Sequence, residues 1–222
     1  IALNRLGYSF AFSAFPISPN GRRIDTFEHA SISYMTPTDN VTYRHREIRW
    51  VPCPRSKSRL LSQFPYRRTL FITTSNNRFF SQLSQINRRQ RLINATQETK
   101  DAMNKILDTS HFSNLQYYTV NPIRGRKKNY YRSDKLYVIK QGSTTYSENN
   151  FSLGERLLLN TLDALENIQP RTLLLIDEIE LALHPLAQVR LYDYLEKKAK
   201  EKDLAIILST HSSTLIRHAK HR

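Results

Sequence analysis

Two neighbouring carboxylates, Asp177 and Glu178, follow the apolar run "TLLLI" in a chain of 222 residues. A second apolar run, "LAIIL", is followed shortly by Thr210 and His211. Paired carboxylates suit a division of labour in which one holds a hard cation such as Mg²⁺ through water and the other polarises an attacking water. A histidine on the neighbouring strand is then placed to contact the terminal phosphate of a bound triphosphate. Taken singly, these residues also fit an ordinary strand-to-loop transition, and a lone histidine after a strand is more often structural.

The segments that must position these side chains alternate between helix and strand patterns. Both apolar runs are typical of strands that are covered on two faces. Helices are predicted by the segments "SLGERLLLNTLDALENI", "PLAQVRLYDYLEKKAKEK" and "STLIRHA". Such alternation is typical of a parallel α/β sheet, in which ligands bind beyond the carboxyl ends of the strands. The sequence therefore predicts that the two carboxylates, Thr210 and His211 lie at one edge of a sheet.

A helix N-terminus precedes the first of these strands, in the segment "FSLGERLLL" from Phe151 to Leu159. Ser152 and Glu155 have the spacing of a capping box, in which the serine caps the helix and the glutamate returns to the cap. The free N–H groups of a first helical turn also bind phosphate well. From the residues alone, both interpretations stay open.

The order of these segments resembles the C-terminal half of the nucleotide-binding domain of ABC-type ATPases. It is similar in particular to the AAA-type branch with RecF-like, SMC-like and overcoming-lysogenization-defect (OLD) ATPases. In that family the Ser-x-Gly segment is the signature motif, "LLLIDE" is Walker B, "ELALHP" is the D-loop and "STHS" is the switch or H-loop. The resemblance is dense over residues 151–217 and looser before them. It implies an α/β P-loop NTPase head with a parallel sheet core, an antiparallel β-subdomain and a helical insertion.

The resemblance also implies ATP and Mg²⁺ as cofactors and a role for each matching position. Asp177 would bind Mg²⁺ through water, Glu178 would orient or deprotonate the hydrolytic water, and His211 would sense the γ-phosphate. The signature segment would contact ATP held by the opposite protomer, so that catalysis requires a head-to-tail homodimer. The positions assigned to nucleotide contact are Ser152, Gly154, Glu155, His184 and Thr210.

Two positions depart from the family pattern. Glu155 stands where transporter signatures usually have glutamine, although glutamate also occurs there in members that are not transporters. His184 stands where many ABC proteins have aspartate. The contact that the D-loop segment Ala182–His184 would make across the dimer interface is therefore open.

A phosphate-binding P-loop requires Gly-x-x-x-x-Gly-Lys-Ser/Thr, and none of the five glycines of the chain is followed by Lys-Ser or Lys-Thr. In the family this Walker A motif precedes the antiparallel strands, so we expect it upstream of Ile1. The full-length protein is then expected to be an ATPase, whereas these residues by themselves are expected to be inactive. The glutamine loop is not placed, and Gln82 and Gln85 are its candidates.

The remaining sequence is divided into three segments. Residues 1–75 are predicted to complete an N-terminal lobe with antiparallel strands at "GYSFAF", "HASISYMT" and "NVTYRHREIRWV" and a buried strand at "RTLFITTS". Residues 76–148 are predicted to form a helical and basic insertion, with helices between residues 78 and 110 and a strand at "KLYVIK". Residues 149–222 hold the signature, Walker B, D-loop and H-loop.

The net charge of +15 is concentrated in the first two segments. Residues 1–148 hold 24 Lys/Arg and 9 Asp/Glu, whereas residues 149–222 hold 10 of each. A basic field of this size favours a polyanion through counterion release, although a solvated surface or an acidic partner also fits. Two clusters carry the predicted contacts with nucleic acid or a partner: Arg88, Arg89 and Arg91, and then Arg124, Arg126, Lys127, Lys128, Tyr130, Tyr131 and Arg132.

Several functions are compatible with these features. A single cysteine, Cys53, excludes an internal disulfide framework, and no apolar run is long enough to span a bilayer, so a cytoplasmic protein is the simplest interpretation. The first hypothesis is an ATPase that controls a nuclease effector in prokaryotic antiphage defence, similar to the ATPase of Septu systems and of retrons that use it. The alternatives are a RecF-like or SMC-like repair or recombination ATPase and an ATP-binding scaffold with weak hydrolysis.

Overall fold

The computed structural model describes residues 30–46, 49–63, 66, 68–72, 91–120 and 134–220. The chain divides into two compact units, Ile1–Thr69 and Leu70–Arg222. The predicted strand "GYSFAF" and the predicted helical residues 78–90 lie outside the described residues, as do the glutamine-loop candidates Gln82 and Gln85.

The described part of the first unit is an antiparallel meander. Its strands are β1 (Ser31–Met35), β2 (Asn40–Arg46) and β3 (Arg49–Cys53), in the order β1-β2-β3, and a 3₁₀ helix follows at Arg55–Gln63. Strand residues alternate between two faces, and one face packs Val41 and Tyr43 against Leu60 of the 3₁₀ helix. The predicted antiparallel strands between residues 31 and 53 are therefore present, but the segment "NVTYRHREIRWV" forms two strands, β2 and β3, that pair with each other.

The elements of the second part of the chain follow in sequence. They are β4 (Arg68–Ile72), β5 (Ile93–Asn94), α1 (Gln97–Leu107), β6 (Leu115–Thr119), β7 (Lys135–Gln141), β8 (Thr144–Ser147), α2 (Leu153–Glu166), β9 (Thr172–Ile176), α3 (Pro185–Glu201), β10 (Ala205–Leu208) and α4 (Ser213–Lys220). Short 3₁₀ helices lie at His111–Asn114 and Glu148–Asn150. All three helices that the sequence analysis placed between residues 152 and 219 are present.

The parallel sheet has the strand order β10-β9-β4. β9 and β10 run parallel, with Ala205 opposite Leu173 and Leu208 opposite Ile176. Leu173, Leu174 and Ile176 are almost fully buried, which confirms the prediction of a covered strand for β9. The same prediction is wrong for β10, where Ile207 is 60% exposed. Among the described elements β10 lies at the sheet edge, and an apolar run does not by itself specify whether both faces are covered.

A second, antiparallel sheet has the order β5-β6-β7-β8. The predicted strand "KLYVIK" is present as part of β7. The segment expected to be a helical insertion thus contains one described helix and four strands. The prediction of a helix is wrong for Ile93 and Asn94, which pair with Tyr117 and Gln116 of β6.

Helix α1 begins where its cap allows. The Thr96 side chain caps the helix by accepting from the Thr99 backbone N–H, and Asp108 ends it in the left-handed conformation with φ 58°. Arg190 of α3 donates to the Lys105 carbonyl and to Asp108, at 2.9 Å each. The C-terminus of α1 is therefore held against α3 by a cation, which also favours a helix C-terminus electrostatically.

The three segment boundaries of the sequence analysis stay predictions.

A buried ion cluster joins β7 to α2. Lys135 Nζ lies 2.7 Å from Asp163 Oδ1 and 2.5 Å from Glu166 Oε2, and Tyr137 donates its hydroxyl to Asp163 at 2.9 Å. The Asp163 side chain is only 1% exposed. Burial lowers the pKa of Lys135, but hydrogen bonds to Asp163 and Glu166 outweigh it and hold that pKa above its ordinary value. The lysine therefore stays charged and neutralises a carboxylate inside the core.

None of the described helices is long and apolar enough to cross a membrane.

Replacing Lys135 with methionine tests the ion cluster. The change leaves the Asp163 carboxylate buried without its cation, so we expect the free energy of unfolding to fall by about 3–5 kcal/mol in urea titrations. Lys140→Met is the control, because Lys140 is an exposed lysine of the same strand, and it is expected to change stability by less than about 0.5 kcal/mol. Equal losses in the two variants would contradict the role given to Lys135.

Candidate functional site

The carboxyl ends of three strands meet at one edge of the parallel sheet. The Ser209 backbone N–H donates to the Ile176 carbonyl at 2.9 Å, and the Ile179 N–H donates to the Ser209 carbonyl at 3.3 Å. On the other side, the Asp177 N–H donates to the Ile72 carbonyl at 3.0 Å. These bonds continue the sheet beyond β9, and the structure therefore brings Asp177 and Glu178 next to the segment that follows β10.

Ser209 is the side chain that organises this edge, and the sequence analysis missed it. Its hydroxyl donates to Asp177 Oδ1 at 2.6 Å and accepts from the Glu178 backbone N–H at 2.9 Å. One oxygen of Asp177 is thereby oriented, while the second has no hydrogen bond within the described residues. The available signal was the register, since Leu208 opposite Ile176 places Ser209 beside Asp177.

Glu178 has an unusual backbone conformation. Its φ of 51° lies in the left-handed region, which is uncommon for a residue with a side chain. The Ser209 hydroxyl holds the N–H of Glu178 in this conformation. Its carboxylate makes no hydrogen bond or ion pair with any described residue. Backbone strain of this kind persists where the surroundings enforce it and is often found at functional sites.

Glu180 links the two sides of the edge and was also missed. Its carboxylate accepts from the Thr210 hydroxyl at 2.6 Å and from the His211 backbone N–H at 2.5 Å. Partial burial raises the pKa of Glu180, but these two hydrogen bonds more than offset it, and the pKa lies below its ordinary value. Because both donors follow β10, the carboxylate of Glu180 fixes the backbone that carries His211.

Thr210 and His211 differ in what they leave free. The Thr210 hydroxyl donates to Glu180 and accepts from the Ser212 N–H at 3.0 Å, so both of its functions are used inside the chain. His211 is exposed, and its imidazole forms no hydrogen bond with a described residue, although its charge helps to lower the pKa of Glu180. The ring is thus available to a ligand, whereas the expected nucleotide contact of Thr210 stays a prediction.

The N-terminus of α2 forms the capping box and also leaves two backbone N–H groups without an acceptor in the described chain. Ser152 Oγ accepts from the Glu155 N–H at 3.2 Å, and Glu155 Oε2 accepts from the Ser152 N–H at 2.6 Å, so the capping box is formed. The N–H groups of Leu153 and Gly154 have no acceptor within the described residues. Glu155 is engaged in the cap, and its contact with a nucleotide stays a prediction.

Gly154 allows the signature segment to approach the D-loop segment of the same chain. A Cβ at this position would collide with the carbonyl oxygen of Ala182 and lie 3.1 Å from Leu183 Cδ2. Ala182 itself has a φ of 56°, and Leu183 is buried. The absence of a side chain at Gly154 therefore has a packing reason that does not depend on any ligand.

His184 ends the D-loop and starts α3. Its Nδ1 accepts from the Ala187 N–H at 3.4 Å, so the imidazole serves as the helix cap and Pro185 takes the first helical position. Buried Gln188 follows it, donating to the Leu183 carbonyl at 2.7 Å and accepting from the Ser212 hydroxyl at 2.5 Å. Gln188 therefore joins the D-loop to the start of α4. The contact of His184 across a dimer interface stays a prediction.

The donor set of this edge suits Mg²⁺ held together with a phosphate. Within the described ranges, no three His, Cys, Asp or Glu side chains are grouped as a self-sufficient metal site. Mg²⁺ usually keeps several waters and takes one or two carboxylates in addition to substrate phosphates. Asp177 with its second oxygen and Glu178 supply that number of carboxylates, so the residues present fit the ion.

Most of the predicted partner-binding cluster cannot be placed. Arg91 is exposed just before β5. The others lie outside the described residues: Arg88, Arg89, Arg124, Arg126, Lys127, Lys128, Tyr130, Tyr131 and Arg132.

Comparison with known proteins gives one extensive match. The model of a family described as "AAA domain, putative AbiEii toxin, Type IV TA system" matches residues 7–217. No curated protein matches the chain. Among solved structures, the chain is similar to the Smc head domain with an extended coiled coil bound to the C-terminal domain of ScpA from Pyrococcus furiosus, at 12% identity and a TM-score of 0.34. That similarity covers 54% of this chain and 28% of the other, and it is too distant to carry an argument.

Gly154→Ala tests the close approach between α2 and the D-loop. Alanine normally stabilises a helix relative to glycine by roughly 0.5–1 kcal/mol. Here we expect the opposite, a loss of about 1–3 kcal/mol, because the new methyl group meets the Ala182 carbonyl. Urea unfolding gives the sign, and amide hydrogen exchange is expected to accelerate in residues 178–184.

Gly142→Ala is the matched control, because nothing lies within 4 Å of its Cβ position, although its φ is +60°. It is expected to cost only backbone strain and to leave exchange in the D-loop unchanged. A stabilised Gly154→Ala protein would show that the contact with Ala182 does not exist.

Glu180→Gln tests the link between the two sides of the edge. The depressed pKa of Glu180 contributes stability that is present above its unfolded-state pKa and is lost as pH falls through the lower folded-state value. At neutral pH we expect the variant to be less stable by about 1 kcal/mol, a value kept low because the carboxylate is only half-buried. In urea unfolding at a series of pH values, the difference is expected to disappear toward acid.

Thr210→Ser keeps the hydroxyl donor and is expected to have the stability of the wild type. Thr210→Val removes the donor, and in a double-mutant cycle its effect on the free energy of unfolding is expected to be coupled to that of Glu180→Gln. A constant difference between the wild type and Glu180→Gln across the acid range would overturn this account.

Proposed function

Because the chain belongs to the family of AAA domains, which places it among AAA-type ATPases, we propose that the edge around Asp177 is the hydrolytic half of a composite ATP site. The observation that carries the proposal is the meeting of two carboxylates and an exposed imidazole where parallel strands end. Ligands of α/β sheets bind at such edges. Each residue is assigned a role from those of its hydrogen-bonding groups that no described residue engages.

Asp177 is proposed to hold Mg²⁺ through water. Its first oxygen is fixed by the Ser209 hydroxyl, which orients the second toward a ligand. Mg²⁺, when bound, supplies charge neutralisation at the phosphate oxygens of the nucleotide. Ser209 acts on this chemistry as a positioning residue, since its hydroxyl bonds the Asp177 carboxylate and the backbone N–H of Glu178.

Glu178 is proposed to orient and deprotonate the attacking water. A general base needs a carboxylate that is held in place yet free of an internal partner. The left-handed backbone and the bond from Ser209 hold Glu178, and its carboxylate has no partner among the described residues. His211, held through its backbone by Glu180, is proposed to contact the γ-phosphate.

The signature helix α2 is proposed to complete the ATP site of a second protomer. The unpaired N–H groups of Leu153 and Gly154, the Ser152 hydroxyl and the positive end of the helix dipole together favour a phosphate. A phosphate-binding P-loop must complete the site, and these 222 residues contain no Gly-x-x-x-x-Gly-Lys-Ser/Thr motif. The proposal therefore requires two copies of the chain and a phosphate-binding loop.

In the cell we propose that this ATPase controls a nucleic-acid-directed effector nuclease in prokaryotic antiphage defence, in the manner of Septu or retron systems. The family description, which names a putative toxin of a TA system, supports a role in controlling an effector. The excess positive charge of the first 148 residues supports a nucleic acid or a nucleic acid–protein complex as a partner. A repair ATPase of the RecF or SMC kind shares the site chemistry and would also use the basic charge, but the family description does not name such a role.

Glu178→Gln tests the proposed function in the polypeptide encoded by the complete gene. Because glutamine keeps the shape but cannot accept the proton, ATP turnover is expected to fall by about 100-fold or more. ATP binding is expected to persist, and an ATP-bound dimer is expected to accumulate in size-exclusion chromatography with light scattering.

Glu196→Gln makes the same replacement on the outer surface of α3 and is expected to leave turnover unchanged. Unaltered turnover in Glu178→Gln would remove the catalytic assignment. Binding of ATP without turnover by the wild type would instead favour the scaffold.

A further inference from the structure

The sheet of the first unit has one covered and one open face. Val41 and Tyr43 of β2 point to the small core with Leu60. Since side chains alternate along a strand, Thr42, Arg44 and Arg46 belong to the opposite face. Both arginines are exposed.

Neighbouring strands and the 3₁₀ helix extend this open face. Ser31 lies opposite Arg44 and Ser33 opposite Thr42 in β1, and the two hydroxyls of Ser33 and Thr42 are 2.8 Å apart. On the other side of β2, Val51 lies opposite Arg44. We call this surface the arginine face, and it consists of Ser31, Ser33, Met35, Asn40, Thr42, Arg44, Arg46, Val51, Cys53 and Arg55, of which Met35 is 76% exposed.

Three guanidinium groups share one depression in the arginine face. Arg44, Arg46 and Arg55 line it together with Val51 and Cys53. None of the three arginines forms an ion pair with a described residue. The acidic side chain described in this unit, Asp39, pairs with Lys57 at the turn between β1 and β2. The depression therefore concentrates positive charge that the described chain does not neutralise.

We propose that the arginine face binds the phosphate backbone of a nucleic acid without regard to base sequence. The guanidinium group presents a planar fork of donors that matches phosphate oxygens, and it stays charged at any physiological pH. Arg44 and Arg46, two residues apart on a strand, are separated by about 6.6–6.8 Å along it and follow a linear ligand. The hydroxyls of Ser33 and Thr42 add further donors of the type found at phosphate contacts.

The composition of the face favours a nucleic acid over an acidic protein. Protein–protein interfaces have an apolar centre with aromatic anchors, whereas protein–DNA interfaces are polar and strongly positive. Among the described side chains of the arginine face there is no aromatic ring. Since none of its described side chains has an aromatic ring to stack on a base, the proposed contact is with phosphates, which carry no sequence information.

This surface and the candidate ATP site are built from different units of the chain. All of its residues belong to the first unit, whereas the candidate ATP site is built from the second. The clusters that sequence analysis predicted for nucleic acid contain none of Arg44, Arg46 and Arg55. The proposal therefore does not rest on ATP hydrolysis, and either can fail while the other holds.

A triple variant, Arg44→Gln/Arg46→Gln/Arg55→Gln, tests the proposal in the polypeptide encoded by the complete gene. The probes are fluorescent single-stranded DNA, duplex DNA and single-stranded RNA of mixed sequence, followed by anisotropy across a series of salt concentrations. Each phosphate contact contributes about 0.7–0.9 to the slope of log affinity against log salt, so we expect the slope to fall by about 2–3. Affinity at moderate salt is expected to drop by about tenfold or more.

The matched control removes the same number of charges from another surface. Lys197→Gln/Lys200→Gln/Arg217→Gln changes exposed residues of α3 and α4, and it is expected to keep most of the affinity and slope. Equal losses in the two triple variants would show a general effect of net charge and overturn the proposal. Unchanged affinity and slope in the arginine variant would overturn it as well.

Two further measurements separate the remaining outcomes. The variant Arg44→Lys/Arg46→Lys/Arg55→Lys keeps the three positive charges. If the contacts are with phosphates, we expect it to retain most of the salt slope of the wild type. A lysine variant that is folded by circular dichroism but has the low slope of the glutamine variant would contradict phosphate contacts. Polyglutamate at matched charge is the probe for an acidic protein. Binding of polyglutamate that depends on the three arginines, with no such dependence for any nucleic acid probe, would replace the proposed ligand.

Discussion

The hydroxyl of Ser209 holds the ends of two parallel strands in one arrangement, and the candidate ATP site depends on that contact. It donates to Asp177 and accepts from the N–H of Glu178, so a single small side chain orients one carboxylate and the backbone of the next. The left-handed conformation of Glu178 is maintained by the same contact. Because β9 and β10 pair in parallel, with Leu208 opposite Ile176, the polar residues that follow the two strands lie side by side at this edge.

Around this edge of the sheet, short polar contacts connect the neighbouring elements. Glu180 fixes the segment after β10, and Gln188 connects the D-loop to α4. Gly154 lets the start of α2 rest on the Ala182 carbonyl. Signature, D-loop and switch segments are thus mechanically joined within one chain.

The elements that the sequence predicted well are those with a local physical cause. The helix α2 begins at a serine with a glutamate at the capping-box spacing, and α3 begins at a proline after a capping side chain. β9 is an apolar run that is covered as expected. Where the cause is not local, prediction failed: Ile93 and Asn94 follow a helix-compatible pattern but pair with β6, and β10 has the same apolar pattern as β9 yet leaves Ile207 exposed.

By itself the sequence determined the order of the elements from α2 to α4, the two carboxylates after β9 and the polar segment after β10, because apolar periodicity and capping spacing act over a few residues. Only the tertiary structure decided which polar groups meet. Ser209 with Asp177, Glu180 with Thr210, and Gly154 with Ala182 are pairs separated by many residues, and their contact follows from strand register and helix packing. The exposed arginine face likewise exists because β2 turns Arg44 and Arg46 to one side and the buried Val41 and Tyr43 to the other, and because β1 and β3 pair with it.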